Sequence, residues 1–156
     1  MAADLPLTLF DRLLDDHPDL TQEPFETADR AFARYKLGLR RDLEGLLNSK
    51  RPFSAWLTAH DGVADTILGF GLPDLSTEDF GTPAVRERIR RMIAACIRTH
   101  ETRLTQVEVD VDGAPTSSGV RFRISAVVKA AHIEEAVSYD ARIRPSDRAI
   151  AVELSG

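Results

Sequence analysis

The chain has 156 residues, of which 43% are hydrophobic and 29% are charged, and its formal net charge is -5 at pH 7. This length suffices for one domain that buries its own core without disulfides or a structural metal. The acidic net charge argues against a general nucleic-acid-binding protein, because such domains usually carry a basic excess on one face. The single cysteine, Cys96, has no partner for a disulfide and falls in the apolar stripe of a predicted helix.

The N-terminal sequence lacks the cationic region, the long apolar run and the small-residue cleavage site of a secretory signal. No apolar run in the chain reaches the roughly 18 residues that a membrane-spanning helix needs. We therefore expect a cytoplasmic protein without membrane insertion.

A short amphipathic helix is predicted over residues 7–15, where three leucines and a phenylalanine share one face. Pro18 stops this pattern, and a polar loop follows. We therefore divide the chain into an N-terminal amphipathic segment and loop at residues 1–24 and a single α+β domain at residues 25–156. The segment either folds back on the domain or docks on a partner.

Two long amphipathic helices are predicted in the domain. The first covers about residues 27–48, and on its polar side Arg40 and Glu44 can pair across one turn. The second begins at Thr82 and Pro83, a favoured N-cap residue followed by the proline that suits a first helical turn.

A loop-rich segment with the sequence ILGFGLPDLS, residues 67–76, lies between these helices. Its glycines permit unusual backbone geometry, and we expect its apolar side chains to be buried. It does not predict a phosphate-binding loop, because it lacks both the further glycines of a dinucleotide fingerprint and the Lys-Ser/Thr of a P-loop.

A β-hairpin is predicted after the second helix, because apolar and polar residues alternate on both sides of the polar loop GAPTSSG. We predict the register in which Val109 lies opposite Phe122 and Asp110 lies opposite Arg121. This register pairs apolar residues on one face of the hairpin and opposite charges on the other face.

Two further alternating strands follow, at residues 137–144 and 150–154. The predicted fold class is α+β, with N-terminal helices and one central helix packed on a mainly antiparallel four-stranded sheet. The last strand is expected at a sheet edge, where unpaired backbone groups can accept a strand from another chain.

Glycoside hydrolysis needs two carboxyl groups, one of them kept protonated, and the only candidates are Glu101 with Asp110 or Asp112. The strand carboxylates are expected to meet arginines, which favours the ionised form and spoils an acid role. The histidines show no metal-ligand spacing; they are His17, His60, His100 and His132. We therefore predict no catalytic, cofactor-binding or metal-binding residues.

Four stretches, in this order, carry a resemblance to a known family: LFDRLLDD, RRDLEGLLNSKR, GLPDLS and ETRLTQVEV. Together they resemble the type VI secretion baseplate subunit TssE. That family is homologous to the wedge protein of contractile phage baseplates, which was once labelled lysozyme-like.

The family carries a Glu-Pro-Arg motif between a helix and a strand, matched here by Glu101, Thr102 and Arg103. The proline is absent, so the backbone between the two charges is less constrained. The resemblance implies that the motif docks the subunit on the baseplate wedge core. Without the resemblance, Arg103 at a helix C-terminus would be read as a residue that binds the terminal carbonyl groups.

The resemblance also implies that the sheet starts sheath polymerisation, and we expect this to occur by strand addition at the last strand. The implied partners are the wedge subunits TssF, TssG and TssK, a spike or hub protein, and the sheath subunits TssB and TssC, at a baseplate docked to the inner membrane. No nucleic acid and no cofactor are implied. The predicted partner-binding residues are Glu101, Arg103, Ile150, Val152 and Leu154.

We therefore expect a structural protein rather than an enzyme. Two alternatives stay open at this point: a peptidoglycan-cleaving lysozyme-like enzyme, and a regulatory adaptor of the same fold.

Overall fold

The computed structural model describes residues 8–13, 18–19, 26–52, 59–60, 62–130 and 133–155. The predicted N-terminal helix is present at Leu9–Leu13. Thr8 precedes this helix, and the other predicted residues, 7, 14 and 15, lie outside the described ranges. His17 and His132 lie outside them as well. None of the helices in the described part of the chain combines the length and the apolarity that a membrane crossing requires.

Within the part of the chain that the structure describes, three α-helices precede the sheet: α1 at Leu9–Leu13, α2 at Ala28–Asn48 and α3 at Pro83–His100. Two short 3-10 helices, Val63–Asp65 and Ile67–Gly69, lie in the connection between α2 and α3. The predicted positions of α2 and α3 are confirmed, including the proline in the first turn of α3.

The four strands form one antiparallel sheet in the order β1-β2-β3-β4. Their bounds are Leu104–Thr116, Gly119–Ala130, Ile133–Ile143 and Ile150–Leu154. The predicted α+β class and the predicted edge position of the last strand are therefore confirmed.

The predicted register of the β1–β2 hairpin is wrong. Val109 lies opposite Ile124 rather than Phe122, and Asp110 lies opposite Arg123 rather than Arg121. The shift is an even number of residues, so each side chain stays on the predicted face.

The hairpin turn explains the shifted register. β1 continues through most of the predicted loop, and Thr116 pairs with Gly119, so the connection is shorter than the sequence suggested. An irregularity between Asp112 and Thr116 absorbs the extra residues of β1, and Gly113 adopts a φ of 77° within it. Such a bulge leaves little trace in an alternating pattern.

One face of the sheet packs against the helices. Tyr139 and Phe122 are fully buried at its centre, and Leu39 and Leu43 of α2 and Ile93 of α3 are buried in the same core. Cys96 belongs to this core, as predicted. The opposite face is charged, so the sheet has the alternation of an antiparallel sheet with one solvated face.

The 67–76 segment is only partly buried. Leu72 and Leu75 join the core as expected, whereas Ile67 is 86% exposed, so the expectation of burial is wrong for its first half. Gly71 is needed where this segment meets the end of α2. It adopts a φ of 97°, and a Cβ there would lie 2.1 Å from the Ser49 carbonyl oxygen.

Candidate protein-binding site

The corner between α3 and β1 contains Glu101 and Arg103. The Arg103 side chain donates to both Glu101 oxygens, with Nε 2.6 Å from Oε1 and Nη2 2.5 Å from Oε2. The Arg103 backbone N–H also donates to Oε1, at 3.2 Å. Glu101 is only 7% exposed, so its carboxylate faces inward and does not project from the corner. A buried carboxylate requires such pairing, because water no longer solvates it.

Asp42 joins this corner to α2. Nη2 of Arg103 donates to its Oδ2 at 2.8 Å, so one guanidinium bridges two carboxylates. Burial by itself lowers the pKa of Arg103, but the hydrogen bonds with Glu101 and Asp42 more than offset it and leave the pKa raised. The Arg103 side chain is 27% exposed, and its Nη1 donates to no described residue. The corner therefore presents one accessible cationic edge.

The outer edge of β4 is covered by side chains of α2. The N–H of Ile150 donates to Asn48 Oδ1 at 2.9 Å, and its carbonyl accepts from Asn48 Nδ2 at 2.7 Å. The N–H of Val152 donates to Glu44 Oε2 at 2.9 Å, and its carbonyl accepts from Arg40 Nη1 at 3.0 Å. The outward backbone groups of these two predicted partner-binding residues are therefore occupied in the free subunit.

The predicted Arg40–Glu44 pair is present, with the charged atoms 3.4 Å apart. Its role differs from the simple solvent-exposed pair that the sequence suggested, because both side chains also bind β4. At the end of the strand, Leu154 is 37% exposed. Binding of a partner by Ile150, Val152 and Leu154 stays a prediction.

The outer edge of β1 is covered less completely. Arg98 of α3 donates from Nε to the Val107 carbonyl at 3.1 Å, and Arg90 donates from Nη1 to the Val109 carbonyl at 2.9 Å. The N–H and C=O of one strand residue point to the same side, so the N–H groups of Val109 and, two residues on, Val111 also point outward. No described side chain accepts a hydrogen bond from either N–H.

A bulge lies where the β1 edge begins. The register shifts between Thr105 and Glu108, and Gln106 adopts a φ of 52°. A positive φ is uncommon for a residue other than glycine, and bulges of this kind re-aim side chains at the edges of sheets. Here the bulge lies next to the Val107 carbonyl that Arg98 binds.

The carboxylates considered for catalysis are not arranged as a catalytic pair. Glu101 faces Arg103, whereas Asp112 lies among arginines of β2, 3.7 Å from Arg121 and 3.5 Å from Arg123. This geometry gives no support to a general-acid role, which needs a protonated carboxyl group aimed at an open site. Within the described ranges, no cluster of three or more His, Cys, Asp or Glu residues is placed to hold a metal ion.

Comparison with protein-family models finds one match, to the baseplate wedge protein gp25 family, over residues 33–132. This match covers more than half of the chain. The chain belongs to the baseplate wedge protein gp25 family. A search of curated proteins and a search of solved structures found no match to it.

Membership of the gp25 family identifies a structural baseplate component of a contractile injection system, which interacts with other baseplate components. The matched range includes the Glu101–Arg103 corner, the edge of β1 and the α2 side chains that cover β4. It ends at the start of β3, so β4 itself lies beyond it.

Sequence reasoning missed the residues that position this gp25-family site. Asp42 lies 61 positions from Arg103 and is recognised as its partner only when α2 packs beside the corner. Arg90 and Arg98 are spaced by eight residues on α3, and this regular spacing was the one available signal. The pattern did not show which backbone carbonyls they would reach.

Proposed function

We propose that this chain is the TssE-type subunit of a type VI secretion baseplate. In this role it docks on the wedge core through the corner that contains Arg103, and it starts sheath polymerisation by accepting a strand from a sheath subunit. TssF, TssG and TssK are the proposed wedge partners, and TssB and TssC form the proposed sheath. The role is structural, with no chemical step.

Two observations together carry this proposal. The chain belongs to a baseplate wedge family. One edge of its four-stranded sheet has outward N–H groups, on Val109 and Val111, that no described side chain binds. Backbone groups of this kind accept a strand from another chain by β-augmentation. Such pairing suits the first contact of a polymer, because backbone hydrogen bonds form with any strand of suitable shape.

The corner supports the docking part of the proposal. The Glu101–Arg103–Asp42 network fixes the Arg103 guanidinium, and its remaining accessible edge can bind a carboxylate of the wedge core. Glu101 then acts through Arg103, because its own oxygens face inward. We expect Arg103 to contact the partner and Glu101 to orient it.

Affinity purification of the tagged chain from its native cells tests this function. Wedge and sheath subunits are expected to co-purify with the wild-type chain, and Arg103→Gln is expected to lose the wedge subunits. Arg123→Gln is the matched control, because Arg123 is an exposed arginine with its ion pairs on the solvated face of the sheet. Recovery of neither wedge nor sheath subunits by the wild-type chain would overturn the proposal.

The lysozyme-like alternative has its own test. Purified chain is added to a suspension of peptidoglycan, and turbidity is followed with time. We expect no clearing by the wild-type chain or by Glu101→Gln. Clearing by the wild type that Glu101→Gln abolishes would establish an enzyme and contradict the proposed structural role.

A further inference from the structure

We propose that the added strand binds at the edge of β1 rather than β4, and that this edge selects a segment with alternating cationic and apolar side chains. The inference rests on the proposed strand addition and specifies where it occurs and what chemistry it recognises. Four features of the described residues support it: the unequal covering of the two edges, the acidic residues of β1 that form no contact ion pair, the half-buried Val111 on the inner face, and the length of the open edge.

The two edges differ in how many backbone groups are already bonded. At β4, both the donor and the acceptor of Ile150 and of Val152 are bound by α2 side chains. A strand added there must break all four bonds before it forms its own. At β1 the arginines occupy carbonyl groups only. The Val109 carbonyl accepts one hydrogen bond and keeps a second lone pair, whereas the Val107 carbonyl accepts two from Arg98. The N–H groups of Val109 and Val111 are free to donate, so addition at β1 has fewer bonds to break.

The solvated face of β1 carries acidic side chains at alternate positions: Glu108, Asp110 and Asp112. Asp112 pairs with arginines of β2. Glu108 and Asp110 form no contact ion pair with a described residue, since Arg123, which lies opposite Asp110, binds Asp112 and Asp140 instead. Asp110 does lie within electrostatic range of Arg90, whereas Glu108 has no such neighbour among the described ion pairs. Lysine or arginine side chains of an added strand would lie directly beside these two carboxylates, where opposite charges stabilise pairing.

The other face of the added strand would meet apolar surface. Val109 is buried, whereas Val111 is half-buried and packs at the rim of the core. An apolar side chain on the inner face of an added strand would extend this rim and cover Val111. The alternating side chains of β1 therefore determine the pattern of the added strand, which should place cationic side chains on the solvated face and apolar side chains on the face toward the core.

The open part of the edge has a definite extent. It begins at Val107, just after the bulge at Gln106, and Pro115 limits it near the turn because proline has no N–H to donate. The arginines cover the carbonyls of its first half. Side chains of this kind keep an edge from pairing with the wrong strand until its partner arrives.

The test uses two proline variants whose lost N–H points away from the sheet. Val111→Pro removes an outward donor of β1, and Leu154→Pro removes an outward donor at the end of β4; neither breaks a bond within the sheet. Each variant is purified with the co-expressed sheath subunits. We expect Val111→Pro to weaken sheath binding by about tenfold or more, as the loss of one or two backbone hydrogen bonds and their alignment would do. Leu154→Pro should bind as the wild type does.

A charge variant tests the inference independently of Val111→Pro, and it is needed if that variant fails to fold. Glu108→Lys with Asp110→Lys changes two exposed side chains and leaves the backbone groups intact. It should weaken sheath binding to a similar degree. A synthetic peptide of alternating lysine and valine should slow amide exchange at Val109 and Val111 in the wild type, and a peptide of alternating glutamate and valine should not.

The outcomes separate this inference from the proposed function. If the wild-type chain binds sheath subunits while only Leu154→Pro abolishes binding, the function stands and the β1 edge is refuted. If the charge reversal leaves binding unchanged, the function stands and the proposed selection for cationic side chains is refuted. If the wild-type chain binds no sheath subunit, the proposed function itself fails.

Discussion

At the scale of single residues, the corner depends on the planar fork of Arg103. The guanidinium binds Glu101 through two nitrogens and reaches Asp42 from the same Nη2. A lysine ammonium is a point charge on a flexible chain and cannot reproduce this geometry. Arg103 therefore connects α2, through Asp42, to the α3–β1 corner, through Glu101.

Arg103→Lys should lower the free energy of unfolding by about 1–3 kcal/mol, because it leaves part of the buried Glu101 carboxylate without a donor. Denaturant unfolding measures this loss. Arg123→Gln, which removes exposed ion pairs, should change stability by at most about 1 kcal/mol. Equal effects of the two substitutions would show that the Arg103 network contributes no more than a surface pair.

Two buried tyrosines provide a second residue-level prediction. The Tyr139 hydroxyl donates to the Lys36 carbonyl at 3.2 Å, whereas the buried Tyr35 hydroxyl lies near Arg103 without forming a hydrogen bond of normal geometry to a described residue. Tyr139→Phe should therefore cost about 0.5–1.5 kcal/mol, and Tyr35→Phe should be neutral or stabilising. Thermal unfolding of the two variants compares them directly. A larger loss for Tyr35→Phe would mean that its hydroxyl has a partner that this account does not include.

At the scale of elements, α2 organises the molecule because it contacts both α1 and β4. Arg41 binds Asp11 at 2.9 Å and Thr8 at 2.8 Å, and α1 lies directly over Gly38. A Cβ at Gly38 would approach Thr8 Cγ2 to 2.7 Å. The glycine is therefore required by the close approach of α1 rather than by α2 itself.

Gly38→Ala and Gly45→Ala form a matched pair on α2. A Cβ at Gly45 meets nothing within 4 Å, so this change should stabilise the helix by about 1 kcal/mol. Gly38→Ala has the same helix preference but displaces α1. Trypsin should then cleave after Arg12 faster than in the wild type, while Gly45→Ala should leave that rate unchanged. Equal cleavage rates in all three proteins would contradict the described packing of α1.

The attachment of α1 should depend on pH. Partial burial raises the pKa of Asp11, but hydrogen bonds with Thr8 and Arg41 outweigh it, and the pKa lies below the ordinary value of 3.8. A lowered pKa stabilises the attached state above that ordinary value, and the stabilisation is lost as the pH falls through the lowered pKa. The Gly38 amide shift in an NMR titration should follow this transition. Asp11→Asn should abolish it, and a midpoint above 3.8 would contradict the account.

Element type was predictable from the sequence, and element partners were only partly so. In α2, α3 and the strands, the buried face is apolar and the exposed face is polar, so the type of element can be read from the spacing of apolar residues in the sequence. The β1–β2 register was missed because β1 runs on to Thr116 through a bulge. The inward turn of Glu101 was missed for a related reason: Asp42, which shares Arg103 with it, is distant in sequence.

At the scale of the whole molecule, the sheet has one face buried by helices, one charged face and two edges with different covering. Side chains of α2 bind all the outward groups of Ile150 and Val152, whereas those of α3 bind only carbonyls of β1. The family match shows a baseplate component. A subunit that must join neighbours on several sides can use a charged corner for one contact and an open edge for another.

Amide hydrogen exchange at Val109 and Val111 is the sharpest test of strand addition at the edge of β1. It is measured on the free subunit and on the subunit assembled with its sheath partners. Both amides should exchange quickly when free, because no described side chain binds them, and should become strongly protected in the assembly. Protection that appears at Leu154 instead, or at neither edge, would contradict strand addition at β1.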